Sequence, residues 1–250
     1  SLYIMTALRP PSFWTQRHAI ELQKLAREAG KRVMSHRAGS SENTSRKSDG
    51  SFVTAADRDS QKILMDGLNT LTPDIPIVAE EKRNPAELAA SGTYWLIDPL
   101  DGTRNYVAAG KEFSINIALL VDNVPCVGLI FAPALDELFY GDANGVLHVK
   151  ACAQSFLDPH PPQSDGLPRL ITSRHDAKKM KLDDWRKEGR IHSWKPCSSA
   201  YKFGLLAKGE AEIYPRIGQT CEWDIAAGDA LLKVLGGGLV TPNGKAILCG

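Results

Sequence analysis

Residues 94–103 constrain this chain more than any other stretch. Tyr94-Trp95-Leu96-Ile97 is an uninterrupted apolar run and reads as the end of a buried strand. It leads directly into Asp98-Pro99-Leu100-Asp101-Gly102-Thr103. Two carboxylates are thus expected where the strand stops and a loop begins. A carboxylate beside a buried strand end needs a cation or hydrogen-bond donors to offset its desolvation. Pro99 restricts the backbone between the two acids, Gly102 lets a bound group approach the main chain, and Thr103 adds a hydroxyl. Oxygen ligands of this kind suit hard divalent cations. The competing reading is a solvated turn, because Asp-Gly is a common turn pair.

The remaining composition narrows the function classes. A chain of 250 residues can bury a large core as one unit or two. Thirty basic residues against 29 acidic ones leave a net charge of +1. No global field therefore argues for a nucleic-acid polymer or a membrane surface as partner. No apolar run reaches the length of a transmembrane helix, so stable membrane association is not expected. Residues 1–11 lack a basic region followed by an apolar core, which argues against a secretory signal, although Ser1 in place of Met leaves a removed targeting segment open. The five cysteines are odd in number and form no CxxC pair. They read as free thiols in a reducing compartment, and a cytoplasmic location is expected.

Periodicity sets the order of the elements. Residues 14–34 place Leu22, Leu25, Ala26, Ala29 and Val33 on one helical face. Residues 36–51 are polar and Ser-rich and read as a mobile loop. A second helix is expected over 57–71, ended by Pro73, and a short strand over 77–79. Alternation between residues 113 and 149 predicts antiparallel hairpins. Residues 153–168, with Pro159, Pro161, Pro162 and Pro168, read as a connector between two lobes, 1–155 and 156–250. Beyond it we expect a strand at 170–172, helix-prone residues 176–188, a helix at 200–207, a strand at 212–214 and a last helix from Asp224 to Leu235. The mixture specifies a layered α/β (α+β) protein.

Further candidates for chemistry each carry a structural alternative. Glu80-Glu81 follows an apolar strand and could simply open a helix. Beside Asp98 and Asp101, Glu80 reads as a metal ligand, with Glu81 behind it. Thr54-x-x-Asp57 has the spacing of a capping box, which spacing alone favours. Asp224 precedes an apolar helix and reads as its N-cap, a position that still allows one oxygen to reach a metal. Lys202 and Arg216 are placed near a substrate, Arg216 as a bidentate phosphate partner and Lys202 as a point charge; both could also be ordinary surface cations.

Taken together, these motifs resemble the signatures of the inositol monophosphatase superfamily. The six residues 98–103 are similar to its DPxDGT signature, Trp223-Asp224-Ile225-Ala226-Ala227-Gly228 to its WDxAAG signature, Glu80-Glu81 to its acidic pair and Val53-Thr54-Ala55-Ala56-Asp57 to its VTxAD element. All four occur in the family's order. Phe52–Asp57, Tyr94–Asp98 and Ala211–Arg216 resemble the 3′(2′),5′-bisphosphate nucleotidase branch. The resemblance implies an α/β/α/β/α sandwich and hydrolysis of the 3′-phosphate of adenosine 3′,5′-bisphosphate, a by-product of sulfate activation, with two or three Mg²⁺ ions and sensitivity to lithium. It further implies metal ligation by Glu80, Asp98, the Leu100 carbonyl, Asp101 and Asp224. Asp57 and Thr103 would polarise the attacking water, with Glu80 also counted in the catalytic set. Gly102 and Thr103 would hold the phosphate, and Ser199, Lys202 and Arg216 would lie on the nucleotide side. A monomer or a homodimer is implied.

Two features depart from the pattern. Cys197-Ser198-Ser199-Ala200-Tyr201-Lys202 stands where the branch has a Gly-Ser-Ser-Leu-Lys-like run, and the chain stops at Gly250 where relatives usually continue. The alternatives kept open are an inositol monophosphatase and a non-catalytic metal or nucleotide binder.

Overall fold

A computed structural model of the chain describes residues 9–38, 45–46, 52–80, 92–159, 166–247 and 249. Glu81, residues 160–165 of the expected connector, and residues 39–44 and 47–51 of the expected polar loop lie outside the described residues.

Helix α1 spans Gln16–Ala38, and its predicted face of Leu22, Leu25, Ala26, Ala29 and Val33 is buried. The short strands β1 (Ser45–Arg46) and β2 (Phe52–Val53) pair antiparallel. Helix α2, Ala55–Leu71, starts at Thr54, whose hydroxyl accepts from the amides of Ala56 and Asp57.

The centre of the molecule is a seven-stranded sheet in simple sequence order. Its strands are β3 (Ile77–Ala79), β4 (Thr93–Asp101), β5 (Ser114–Val121), β6 (Val124–Ala132), β7 (Glu137–Asp142), β8 (Gly145–Lys150) and β9 (Ala153–Leu157). β3 and β4 run parallel, and every later neighbour is antiparallel, as the hairpin pattern predicts. Residues 153–157 thus extend the sheet and are not part of the connector: Ala153 to Leu157 pair in register with Lys150 to Val146, and this backbone pairing outweighs their polar composition.

Strand alternation divides the core in two. Trp95, Ile97, Ile117 and Leu129 join α1 and α2 on one face. Tyr94, Leu96, Ala118, Ile130 and Phe139 face the opposite way. There they meet α6 (Tyr201–Ala207) and α7 (Glu222–Val234). Between β4 and these helices lie α3 (Thr103–Val107), α4 (Arg174–Met180) and α5 (Leu182–Lys187) in the chain. Contact of α7 with β6 is direct: a Cβ on Gly128 would lie 2.3 Å from the Ala227 carbonyl oxygen.

Beyond this helical layer, β10 (Arg169–Thr172) pairs parallel with β11 (Ser193–Pro196). Ile171 faces the α6–α7 core, and Leu170 faces a third cluster with Ala177 of α4 and Leu182 of α5. The layers therefore follow the expected α/β/α/β/α order. The strand expected at 212–214 reduces to one bridge, Leu170 to Ile213. Pro215, which has no amide to donate, follows directly, and Glu212 is held by the Arg169 guanidinium.

Candidate metal centre

The expected strand end is displaced in an informative way. β4 does not stop at Ile97 but continues to Asp101 through Pro99. Asp98 pairs with Asn116 and Asp101 with Ser114, so three steps along β4 match two along β5. In a regular strand, residues 98 and 101 would point to opposite faces. The extra residue re-aims one of them, which is what a bulge does beside a site. Proline is tolerated because this is the irregular stretch of the ladder. Polar groups freed by the bulge find local partners. The Ser60 hydroxyl donates to the Pro99 carbonyl at 2.7 Å, and the Leu100 amide donates to Asp98 Oδ1 at 3.0 Å.

Asp224 comes from the first turn of α7. It is not the N-cap expected from sequence. Cys221 occupies that position, and Asp224 sits three residues inside, its Oδ2 accepting from the Cys221 amide and, at 3.0 Å, from the Thr220 hydroxyl. A carboxylate there is favoured by the partial positive charge of the helix start.

Bulge and helix together gather Asp98, Asp101 and Asp224 so that one carboxylate oxygen from each lies within 4.8 Å of the others. Glu80 ends β3 in a turn, its amide donating to the Ile97 carbonyl at 3.3 Å. It stands outside that trio, but its charge acts on both Asp98 and Asp57. The electrostatics are those of a cluster needing positive charge. Burial, then Glu80, Asp101 and Asp224, push the Asp98 carboxyl well above the usual range. Burial and Asp224 raise Asp101 to about 6, against the opposing pull of Lys202 and the Ala200 amide. An all-oxygen donor set of this charge fits a hard divalent cation.

The Asp57 carboxylate closes the cap and also reaches Thr103. Oδ2 accepts from the Thr54 amide at 2.8 Å and hydroxyl at 2.6 Å, completing the capping box. Oδ1 accepts from the Thr103 hydroxyl at 3.2 Å, and that hydroxyl also lies 3.0 Å from the Leu100 carbonyl oxygen. Burial raises the Asp57 carboxyl, with the Thr54 and Thr103 hydrogen bonds opposing. Gly102 precedes α3 with φ of 86°, a left-handed conformation that glycine adopts without a Cβ penalty.

The 197–202 run closes the site from the other side. Ser199 is left-handed at φ 55°, unusual for a residue with a side chain. Its neighbour Ala200 donates its amide to Asp101 Oδ2 at 2.5 Å. Lys202 is not a surface cation. It is buried, its Nζ donates to the Ser199 carbonyl at 2.6 Å, and it lies 5.0 Å over the Tyr214 ring. Arg216 is partly exposed, donating to the Tyr214 hydroxyl at 3.3 Å and the Gln219 carbonyl at 2.9 Å, with Nη2 3.7 Å from Asp224.

Sequence reasoning missed three groups at this centre: Ser60, the Ala200 amide, and Asn116, which donates to Asp101 at 3.4 Å while accepting from the Ser114 hydroxyl. Asn116 carries one readable signal, a polar residue inside an otherwise apolar strand pattern. The other two carry none.

The chain has recognisable relatives. Residues 15–249 match the inositol monophosphatase family, and the chain belongs to that family. Among individual proteins, it is 34% identical over 226 residues to the 3′(2′),5′-bisphosphate nucleotidase CysQ of Salmonella typhimurium (strain LT2), covering 90% of each chain. The CysQ enzyme of Escherichia coli (strain K12) is similar to the same extent. The crystal structure of CysQ from Bacteroides thetaiotaomicron superposes with a TM-score of 0.74 at 26% identity, covering 90% of this chain and 88% of that one.

Proposed function

We propose that the protein is a Mg²⁺-dependent phosphomonoester hydrolase that removes the 3′-phosphate of adenosine 3′,5′-bisphosphate. The observation that carries this reading is the convergence of Asp98, Asp101 and Asp224 from distant parts of the chain, in a family member 34% identical to named bisphosphate nucleotidases. Glu80, Asp98, the Leu100 carbonyl, Asp101 and Asp224 would hold the ions. When bound, Mg²⁺ supplies water activation and charge neutralisation at the ester.

The protein's own groups do the rest. Asp57 accepts a hydrogen bond from the Thr103 hydroxyl, so that as Thr103 takes a proton from the attacking water its own hydroxyl proton passes to Asp57. Gly102, free of a side chain, and the start of α3 offer amides to the phosphate. Ser199, Lys202 and Arg216 line the nucleotide side. Arg216, at the exposed rim, meets the second phosphate that distinguishes a bisphosphate from a monoester such as inositol 1-phosphate. This reading carries with it work as a monomer or homodimer in the cytoplasm, in the disposal of a sulfate-activation by-product, and inhibition by lithium. Among the described residues no helix is long and apolar enough to cross a membrane.

The test is phosphate release from adenosine 3′,5′-bisphosphate and inositol 1-phosphate side by side, with and without Mg²⁺. The expected result is Mg²⁺-dependent release with kcat/KM at least about tenfold higher for the nucleotide, the size of one lost charge-assisted contact. A preference for inositol 1-phosphate overturns the substrate assignment. No release from either, with Mg²⁺ saturating, overturns the catalytic one.

A further inference from the structure

Glu137, at the start of β7, is a fully buried carboxylate to which the proposed chemistry gives no role. It accepts four hydrogen bonds: from the Tyr201 hydroxyl at 2.6 Å, His148 Nε2 at 2.8 Å, Lys208 Nζ at 3.0 Å and Lys150 Nζ at 3.2 Å. Removing a carboxylate from water is costly, and so many partners offset that cost only by being held in place. The partners are not evenly spread. Tyr201 is the first residue of α6, and the residue before it reaches the metal centre: the Ala200 amide donates to Asp101 Oδ2. A Tyr201 side chain pinned against Glu137 fixes the first residue of α6, and with it the adjoining backbone that carries the Ala200 amide.

The segment before α6 needs such an anchor. Ser199 holds a left-handed backbone, a conformation that persists only where the surroundings over-determine it. On the near side, the Ser198 amide donates to Glu112 at 3.0 Å. On the far side, Lys202 Nζ and the Tyr201 amide bind Ser199 locally, and the Tyr201–Glu137 hydrogen bond ties the turn to the sheet.

We propose that Glu137 is a positioning residue for the metal centre: through the Tyr201 hydroxyl it fixes the 199–201 turn that delivers the Ala200 amide to Asp101. That hydrogen bond holds Asp101 Oδ2 and so orients the other oxygen of the carboxylate. Loosening the turn therefore disorders one ligand of the centre without touching any ligand directly. The inference rests on the metal reading given above.

The experiment uses Tyr201→Phe, which removes only the hydroxyl and keeps the ring beside Phe139. Mn²⁺ binding to the metal-free protein is followed by electron paramagnetic resonance, with thermal melts alongside. Leu182→Ala, a cavity in the separate third core, serves as a control for general destabilisation. The expected result is Mn²⁺ affinity at least fivefold weaker in Y201F and unchanged in L182A, even where L182A lowers the melting temperature more. In turnover, Y201F should raise the Mg²⁺ concentration for half-maximal rate while kcat at saturating Mg²⁺ falls less. Wild-type Mn²⁺ affinity in Y201F, or an equal loss in L182A, overturns the inference alone. Failure of the wild-type protein to bind Mn²⁺ overturns the metal reading and this inference with it.

Discussion

Asp98 is buried, and the charges of Glu80, Asp101 and Asp224 all act on it. Asp98→Asn should nearly abolish turnover yet leave the metal-free protein folded, with a melting temperature equal to or above wild type, because a repelled buried charge is removed. The rise in melting temperature that Mg²⁺ causes in the wild type should disappear. Near-normal rates with Mg²⁺ saturating would count against the scheme. Gly102→Ala tests the backbone beside it. At φ 86° an L side chain costs about 1–2 kcal/mol, and the new Cβ would press on the Glu112 carbonyl and Ser199 at 3.2 Å. Chemical denaturation should report at least that loss, and turnover should fall with it. The acids themselves were legible, because the 98–103 and 223–228 runs carry their types and spacing in the chain. Ser60 was not: its hydroxyl serves a carbonyl 39 residues away, and nothing local marks it.

Among the elements, the bulge in β4 and the seating of α7 decide whether acids distant in sequence meet. Gly128→Ala tests the seating. Its Cβ would lie 2.3 Å from the Ala227 carbonyl and 2.8 Å from Ala230 Cβ, and neither is the flexible end of a side chain. Helix α7 would have to lift from β6, carrying Asp224 with it. We expect a stability loss of about 1–3 kcal/mol, the usual range for overpacking, together with weaker Mg²⁺ binding by calorimetry. Unchanged Mg²⁺ affinity would separate helix seating from the site. The hairpins were legible because alternation at period two is a strong signal over β5 to β8. The end of β4 was misread because Pro99 and Gly102 punctuate it locally, whereas its continuation depends on Ser60 and β5 from elsewhere. β9 was misread for a similar reason: its partner β8, not its composition, makes it a strand.

Over the whole molecule, the two cores share one sheet. The second core joins Leu96, Ile130 and Phe139 to Phe203, Ala226 and Leu231, so it draws on both of the proposed lobes, 1–155 and 156–250. A 1–155 fragment would expose that face of the sheet and is expected to bind hydrophobic dyes and to lack a cooperative thermal transition; a sharp native-like melt would argue for an autonomous lobe. Glu137 ties the same halves together, and it carries a pH signature. Burial raises its carboxyl, but hydrogen bonds from Tyr201, Lys208 and His148 outweigh burial and hold it at about 2, against 4.5 when unfolded. A depressed folded value contributes stability above about pH 4.5 that is lost as pH falls toward 2, worth at most about 3 kcal/mol. Denaturation midpoints between pH 6 and 3 should therefore fall more steeply for wild type than for Glu137→Gln, and parallel slopes would contradict the assignment. The convergence of the carboxylates is best tested by anomalous diffraction from crystals soaked in Mn²⁺. The predicted result is a peak bridging Asp98, Asp101 and Asp224; ions bound elsewhere, with none among these three side chains, would contradict the account at its centre.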